Sequence, residues 1–220
     1  MYKSMKPRHL LIAAICTALI GCSSVKPVAY SGIASSSSLQ PNQQDESGRV
    51  PYRFATQVDW RKYGRVIIDP VVIYRGADNQ FGDMQDKDKA ALAGYMQTTF
   101  ADKLRTRFEL ANEPGLSTLR VKLTLTGAAT TTPVISTFSR FDIAGGIYNV
   151  VQTARGKEGA FTGSVSYAVE IYDASTNRLL NAYVTKQYPN PYNLGASFGS
   201  LSASKTGIDK GADALVAQFK

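Results

Sequence analysis

The chain has 220 residues, a formal net charge of +8, two cysteines and one histidine. His9 and Cys16 lie in the first 21 residues, which we expect to be removed, so that one cysteine and no histidine remain. Without histidine, the mature chain cannot use Ser-His-Asp or Cys-His catalysis or haem ligation by His, and one cysteine is too few for a Cys/His zinc site. Removal of the first 21 residues also takes away three basic residues and leaves a net charge of +5. A charge of this size is weak evidence for nucleic-acid binding.

The N-terminus is typical of a secretory signal peptide. A basic start precedes an apolar run from Leu10 to Ile20, whose eleven residues are too few to span a bilayer. The sequence Leu-Ile-Gly-Cys at 19–22 resembles a bacterial lipobox, which implies cleavage between Gly21 and Cys22. It also implies a diacylglyceryl group and an N-acyl chain on Cys22, and we expect no other cofactor. The alternative is an ordinary signal or an uncleaved anchor, in which Cys22 is coincidental.

The residues after the cysteine indicate location and domain organisation. Ser23 stands where an Asp retains similar lipoproteins in the inner membrane, so we expect an outer-membrane anchor facing the periplasm. We assign residues 1–21 to the signal peptide and 22–50 to the lipidated cysteine with a flexible, Ser-rich tether spanning roughly 30 Å. Residues 51–220 have regular apolar patterning and are predicted to form a single domain.

Apolar periodicity predicts the first elements of this domain. A β-branched run from Arg65 to Tyr74 predicts a strand interrupted at Pro70. Apolar residues at helical spacing predict a long helix between Asp83 and Leu110. Strict alternation from Thr118 to Thr126 predicts a half-buried strand, with one sheet face meeting water.

The C-terminal half predicts a hairpin and a second helix. Phe161–Tyr172 and Leu179–Gln187 form predicted strands joined by a turn, while the order of residues 128–159 is uncertain. An apolar stripe from Leu201 to Phe219 predicts a helix packed on the sheet. The element order favours an α/β fold, an open mixed sheet of at least four strands with helices on one face.

Three segments carry a resemblance to a known family. They are residues 60–71, beginning Trp-Arg-Lys-Tyr, residues 114–126, beginning Pro-Gly-Leu-Ser-Thr, and residues 168–177, Ala-Val-Glu-Ile-Tyr-Asp-Ala-Ser-Thr-Asn. The sequence resembles the DUF3313 lipoproteins of Gram-negative bacteria over nearly the whole domain. Asn177 stands where a Gly is expected at the hairpin turn, and Asn also tolerates positive φ. The resemblance implies an outer-membrane lipoprotein of unassigned function, and it supplies no catalytic residues.

Two serine motifs match known catalytic patterns without their context. Residues 195–199 fit G-x-S-x-G, but the nucleophile elbow needs a downstream His, and the preceding residues are typical of a loop. Residues 202–205 fit S-x-x-K and residues 205–207 spell K-T-G. One Lys205 cannot serve both roles of a penicillin-binding enzyme, so a helix start is the better interpretation. We therefore predict no catalytic residues.

Carboxylates remain as candidates for chemistry. Asp69 and Glu170 fall in predicted strands, and paired carboxylates can cleave glycosidic bonds without histidine. The simpler interpretation places Glu170 on the solvent side of its strand and Asp69 at the break before Pro70. The acidic cluster also contains lysines, which fit the start of a helix better than a metal site. We therefore predict no metal site. The cluster consists of Asp78, Asp83, Asp86 and Asp88, and the other carboxylates at strand ends or loops are Asp59, Asp142, Glu158 and Asp173.

Two hypotheses for function remain. The preferred one is a non-enzymatic binding or assembly module of the cell envelope that contacts the membrane through Cys22, binds an envelope protein partner and binds no nucleic acid. Its docking surface would be a sheet edge or a tyrosine-rich face, for which Tyr148, Tyr188 and Tyr192 are the candidate contact residues. The face would also include Tyr167, Tyr172 and Tyr183; the simpler interpretation is that most of these tyrosines are half-buried residues of the sheet. The alternative is a carboxylate-dependent hydrolase of envelope glycans, which requires Asp69 and Glu170 to meet in a cleft.

Overall fold

The computed structural model describes residues 25–130, 163–190 and 199–220. Within these ranges the chain forms an open mixed sheet of eight strands, with two long helices packed on one face. This confirms the predicted α/β fold class. The elements in chain order are β1 (Gln40–Pro41), β2 (Tyr52–Ala55), β3 (Arg65–Ile68), β4 (Val72–Ile73), α1 (Asp86–Leu104), β5 (Glu109–Leu110), β6 (Thr118–Ala129), β7 (Ser164–Asp173), β8 (Leu179–Gln187) and α2 (Ser202–Gln218).

The sheet combines an antiparallel half with a parallel half. Its strand order is β1-β2-β8-β7-β6-β3-β5, and β4 also pairs with β6. Strands β1, β2, β8, β7 and β6 are antiparallel to one another in turn, whereas β3 and β4 run parallel to β6 and β5 runs parallel to β3. The predicted break at Pro70 and the predicted β7–β8 hairpin are both confirmed. Asn177 adopts φ of +55° in the hairpin turn, a conformation that asparagine tolerates.

Helix α1 covers the middle of the first sheet face. Leu92, Met96, Phe100 and Leu104 recur at helical spacing and are fully buried, because they form the stripe that faces the sheet. The predicted continuation of this helix to Leu110 is wrong. The helix ends at Leu104, and the chain then turns so that Glu109 and Leu110 pair with β3. Phe108 is nevertheless buried and packs edge-on against Phe219, with ring centroids 5.0 Å apart.

Helix α2, confirmed at the predicted place, packs closely on β7 and β8. The close approach depends on two glycines one turn apart. A Cβ on Gly207 would lie 2.9 Å from Cγ1 of Val165, and a Cβ on Gly211 would lie 1.6 Å from the hydroxyl oxygen of Tyr167. No helix in the described ranges is long and apolar enough to cross a membrane.

The second sheet face is covered by residues 25–39, which we call the N-terminal segment. Tyr30, Ile33 and Leu39 pack against Ala182 and Val184 of β8, and Tyr30 is only 1% exposed. The prediction that one sheet face meets water is therefore wrong. The face is polar enough to resemble a solvent face in sequence, because part of its burial is by hydrogen-bonded groups rather than by apolar packing.

The predicted flexible tether over residues 23–50 is wrong for residues 25–50, which the structure describes. Ser36–Ser38, within the serine tract, form a 3-10 turn, and the backbone N–H of Ser35 donates to the carboxylate of Glu170 at 2.6 Å. The N–H of Gly32 donates to the hydroxyl of Tyr74 at 3.0 Å. Backbone hydrogen bonds to buried side chains and a few large apolar residues compensate for the entropy of ordering this Ser-rich stretch.

Candidate ligand-binding pocket

A pocket of about 500 Å³ lies between helix α2 and the loop that joins β1 to β2. Its floor is the side of β8 that faces α2. The volume falls within the range of small-molecule sites. The side chains around it are mostly amides, hydroxyls and aromatic rings. The lining residues are Asn42, Gln44, Asp45, Val50, Arg53, Tyr167, Tyr183, Thr185, Gln187, Gly211, Ala214 and Gln218.

Tyr167 of β7 supplies an unpartnered hydroxyl at the base of the pocket. The residue is 0% exposed, and its ring packs edge-on against Phe100 with centroids 5.8 Å apart. Among the described residues its hydroxyl has no hydrogen-bond partner. Burial raises the pKa of Tyr167 well above its ordinary value, with a smaller contribution from Tyr183, so the hydroxyl stays protonated and can donate. A buried donor without a partner is energetically costly and therefore needs an explanation.

Tyr183 and Arg53 form a cross-strand pair in the floor of the pocket. They lie opposite each other in the β2–β8 ladder, so their side chains share a face. Burial raises the pKa of Tyr183, and the positive charge of Arg53 opposes that shift only in part. Arg53 is exposed, and its guanidinium forms no ion pair within the described ranges. The pair offers an aromatic ring beside an uncompensated cation.

The end of β8 holds a hydrogen-bonded polar cluster. Nε2 of Gln187 donates to Oγ1 of Thr185 at 2.9 Å, and Nη1 of Arg49 donates to Oε1 of Gln187 at 3.0 Å. The hydroxyl of Thr185 in turn donates to the backbone carbonyl of Arg49 at 2.8 Å. These contacts fix the orientation of Gln187 and Thr185, so this part of the floor is held in place before any ligand arrives.

The β1–β2 loop forms the opposite wall and is braced internally. The carboxylate of Asp45 accepts hydrogen bonds from the backbone N–H and hydroxyl of Ser47 and from the N–H of Val50. Nδ2 of Asn42 donates to the carbonyl of Val50 at 2.9 Å. The carboxylate keeps its negative charge, but within the described ranges it forms no ion pair with Arg53. Arg53 is therefore the cation in the lining that remains available to an anionic group.

The predicted docking residues do not form one exposed tyrosine face. Tyr148 and Tyr192 lie outside the described residues, as do Gly21 and Cys22. Tyr188 is only 4% exposed; the guanidinium of Arg49 stacks 3.9 Å from its ring centre. Its hydroxyl donates to the backbone carbonyl of Ser47 at 3.4 Å. The prediction of an exposed contact at Tyr188 is therefore wrong, since its ring packs against Arg49 and its hydroxyl bonds to the β1–β2 loop.

The other tyrosines of the predicted face are divided between the two sides of the sheet. Tyr167 and Tyr183 lie on the side that the helices cover, and Tyr172 lies on the opposite side.

The two carboxylates of the hydrolase hypothesis have separate structural partners. Glu170 is 3% exposed beneath the N-terminal segment, where it accepts from the N–H of Ser35 and from the hydroxyl of Tyr172. Asp69 instead lies 3.6 Å from Nε of Arg120. The prediction that Glu170 faces solvent is wrong, because the N-terminal segment covers it. Neither residue lines the pocket.

The remaining carboxylates also have structural roles. Asp78 accepts from the hydroxyl of Tyr74 at 2.6 Å, which lowers the pKa of Asp78, and Asp86 pairs with Lys89 in the first turn of α1. Asp59 accepts from its neighbour Arg61. No group of three or more His, Cys, Asp or Glu side chains in the described ranges is arranged to hold a metal. Asp142 and Glu158 lie outside those ranges.

Asp173 braces the β7–β8 turn. It accepts from the hydroxyl of Ser175 at 2.6 Å and from the hydroxyl of Tyr63 at 2.8 Å. These bonds, the Ser175 bond above all, lower the pKa of Asp173. Burial, with the nearby carboxylate, raises the pKa of Tyr63 to about 12. The turn is therefore tied to the sheet by a charge-assisted hydrogen bond.

The serine motifs are not arranged for catalysis where they are described. Ser202, Lys205 and Gly207 all lie in the first two turns of α2, whereas a penicillin-binding enzyme places its two motifs on separate elements. Nζ of Lys205 lies 5.2 Å from the ring centre of Tyr95. Residues 195–198 of the G-x-S-x-G match lie outside the described residues.

Sequence reasoning missed the pocket because its residues come from five separate elements. Two signals were present. Tyr183, Thr185 and Gln187 alternate along β8 as a polar row on the side that the helix covers, and Gly207 and Gly211 mark a close approach by α2. Neither signal shows, without the fold, that the β1–β2 loop lies across from them.

Comparison with known families identifies the class of protein. The sequence profile of the family described as "Protein of unknown function (DUF3313)" matches residues 29–215. The chain therefore belongs to the DUF3313 family, as the sequence resemblance predicts. The match begins within the N-terminal segment, which agrees with its place in the folded domain. No curated protein matches the chain significantly.

Several solved structures align with the chain at low sequence identity. A variant of PelC from Paraburkholderia phytofirmans, a dodecamer, is 8% identical with a TM-score of 0.38, over 74% of this chain and 93% of that one. A second PelC dodecamer from the same organism is 10% identical with a TM-score of 0.36, over 72% of this chain and 90% of that one. A hypothetical protein from Chlamydia trachomatis is 12% identical with a TM-score of 0.31, over 70% of this chain and 94% of that one.

Proposed function

We propose that this chain is an outer-membrane lipoprotein, anchored through Cys22 and facing the periplasm, whose domain binds an envelope ligand without catalysing a reaction. The observation that carries the proposal is the pocket beside α2. Its floor is held by hydrogen bonds, and among the described residues the buried hydroxyl of Tyr167 has no hydrogen-bond partner and Arg53 has no ion-pair partner. Its lining includes one carboxylate, Asp45, which is occupied in the loop. Such a site recognises polar groups but has no acid–base pair.

The packing of the N-terminal segment determines how far the domain stands from the membrane. Val25 is buried, and the N–H of Lys26 donates to Oε1 of Gln80 at 3.0 Å. Only three residue steps separate Cys22 from Val25, a reach of about 11 Å when fully extended. The lipid would therefore hold the domain against the membrane, with the end of β6 near Gln80 closest to it.

The anchor is tested by exchanging the two cysteines separately. Cys22→Ser should release the protein from washed membranes while the domain stays folded, because several acyl chains are needed for firm anchoring. Cys16→Ala, in the signal peptide, is the matched control and should leave the protein membrane-bound. Retention of Cys22→Ser in carbonate-washed membranes would refute the anchor.

The orientation is tested by fluorescence quenching in proteoliposomes of the lipidated full chain. A label on Lys26→Cys should be strongly quenched by lipids with spin-labelled headgroups. Leu116→Cys is the control: Leu116 is 86% exposed and precedes β6, about 30 Å from the Gln80 end at roughly 3.4 Å per strand residue. Equal, weak quenching of both labels would contradict the membrane-adjacent position and support a long tether.

Ligand binding is tested by filling the pocket. Ala214 lines it from α2, whereas Ala217 is exposed on the same helix outside the lining. The full-length protein in detergent should co-sediment with isolated peptidoglycan sacculi or bind immobilised envelope polysaccharide. Ala214→Trp should abolish that binding and Ala217→Trp should preserve it. If neither material binds, or if Ala214→Trp binds as the wild type does, the pocket is not the binding site and the proposal fails.

A further inference from the structure

We infer that the pocket binds an acidic saccharide, with the sugar carboxylate on Arg53 and the pyranose ring against Tyr183. This inference rests on the proposed function and adds the chemical class of the ligand. A sugar with a free carboxylate in the envelope comes from peptidoglycan strands that have lost their peptides, as muramic acid, or from a polysaccharide, as a uronic acid. Both sources present the same chemistry to the pocket.

The lining has one cation without an ion-pair partner. Among the described residues, the charged residues of the lining are Arg53 and Asp45. The carboxylate of Asp45 is taken up by Ser47 and Val50, while the guanidinium of Arg53 has no ion-pair partner in the part of the chain that is described. Guanidinium groups bind carboxylates through two parallel hydrogen bonds, which gives both charge and geometric selectivity.

The uncharged lining favours a ligand rich in hydroxyl groups. Four amide side chains surround the floor, and each amide can both donate and accept hydrogen bonds, as a sugar hydroxyl does. Tyr183 is half-buried and presents a flat ring beside Arg53, against which the C–H face of a pyranose can pack. A volume of about 500 Å³ suits a ligand of one or two sugar rings. The amides are Asn42, Gln44, Gln187 and Gln218.

The buried hydroxyl of Tyr167 supplies an independent reason to expect a polar ligand. It has no partner among the described residues and lies beside Gly211, which lines the same pocket. An unpartnered buried donor destabilises the protein. Because the hydroxyl has no accessible surface, a ligand oxygen would reach it only after the side chains of the lining shift, and that hydrogen bond would recover the free energy.

The test measures affinity by calorimetry with the full-length protein in detergent. The probes are the disaccharide of N-acetylglucosamine and N-acetylmuramic acid, digalacturonate, and chitobiose, which matches the first probe but lacks its carboxylate. At least one acidic probe should bind about tenfold more tightly than chitobiose, equivalent to about 1.4 kcal/mol. The muramic acid probe and digalacturonate distinguish a peptidoglycan source from a polysaccharide source. Equal affinity for all three probes, or binding of chitobiose alone, would overturn the inference.

Two variants connect that preference to the site. Arg53→Gln should remove the preference for the acidic probe, whereas Arg178→Gln, an exposed arginine in the turn before β8, should retain it. Tyr167→Phe should weaken binding several-fold while leaving the midpoint of thermal unfolding unchanged or higher. Loss of stability without loss of affinity in Tyr167→Phe would show a structural hydroxyl and contradict its role here. If Ala214→Trp blocks binding but Arg53→Gln leaves the probe preference intact, the pocket is still the binding site, and the inference that Arg53 selects an acidic ligand there is wrong.

Discussion

The two faces of the sheet are buried in different ways. The first face is covered by α1 and α2, whose apolar stripes meet Val121, Leu123 and Val169 in one continuous core. The second face is covered by the N-terminal segment, which has a single turn of 3-10 helix and no α-helix. There, large apolar residues alternate with polar contacts such as the bond between Ser35 and Glu170.

The difference shows what a short irregular segment needs to hold a sheet face. A helix satisfies its own backbone groups and can therefore bury a wholly apolar stripe. A segment without regular structure must find partners for its backbone N–H groups in the sheet, and Tyr74 and Glu170 provide them. Buried polar residues on the second face are therefore part of its packing. On the first face, the hydroxyl of Tyr167 has no such partner in the part of the chain that is described.

The largest loss of stability should come from the helix-covered face. Phe100 is fully buried between α1 and the sheet and contacts Tyr167 edge-on. Phe100→Ala should lower the free energy of unfolding by about 4 kcal/mol, from lost burial and the cavity left behind. Urea unfolding monitored by circular dichroism measures it. A loss below about 1 kcal/mol would show that α1 is not packed as described.

A smaller but substantial loss should follow on the face covered by the N-terminal segment. Tyr30 packs against Tyr74 with ring centroids 5.3 Å apart, and its hydroxyl lies 3.3 Å from that of Ser166. Tyr30→Ala should cost about 3 kcal/mol in the same assay. Leu116→Ala, at an exposed position, is the control and should change stability by less than about 0.5 kcal/mol. If both variants behave alike, the segment is a tether and the two faces are not both buried.

The smallest effect is expected at Asp173, where the β7–β8 turn meets the helix-covered face through Tyr63. Asp173→Asn should lower stability at pH 7 by about 1.5 kcal/mol, the usual value for a hydrogen bond to a charged group. The pKa of Asp173 is depressed in the folded state, so its contribution is present above the ordinary pKa of 3.8 and is lost as the pH falls through the lower folded value.

The pH dependence separates this effect from a general loss of packing. The difference between wild type and Asp173→Asn should be constant from neutral pH down to about 5 and should shrink below about 4. Glu113→Gln, at an exposed position, serves as the control and should show almost no difference at any pH. If the difference in free energy of unfolding between wild type and Asp173→Asn is unchanged at pH 2.5, the charge of Asp173 is not its cause.

Much of the fold was predictable because strong periodicity coincides with burial. The alternation from Thr118 onward and the hairpin across Asn177 were predicted and confirmed. The end of α1 was not, since Phe108 keeps helical spacing from Leu104 although the chain has already turned. The burial of residues 25–39 was missed for the opposite reason: its few apolar residues follow no period, and serine-rich composition is typical of a linker.

The candidate site was less accessible to sequence reasoning than the fold. Single residues such as Arg53 and Gln187 carry no motif, and their proximity depends on β2 pairing with β8 across a long stretch of chain. The tyrosines that were singled out proved to be divided between the two faces or to lie outside the described residues. The sequence predicts a mature chain without histidine or free thiol, and this prediction favours binding over catalysis.

The central claim, that the pocket beside α2 binds an acidic saccharide, is tested most directly by a crystal structure with the acidic probe that binds more tightly, the muramic acid disaccharide or digalacturonate, at saturating concentration. We predict the sugar carboxylate within about 3 Å of the guanidinium of Arg53, with the pyranose ring against Tyr183. A ligand oxygen should lie within hydrogen-bond reach of the hydroxyl of Tyr167. A disaccharide bound at another surface, or an empty pocket at that concentration, would contradict the account.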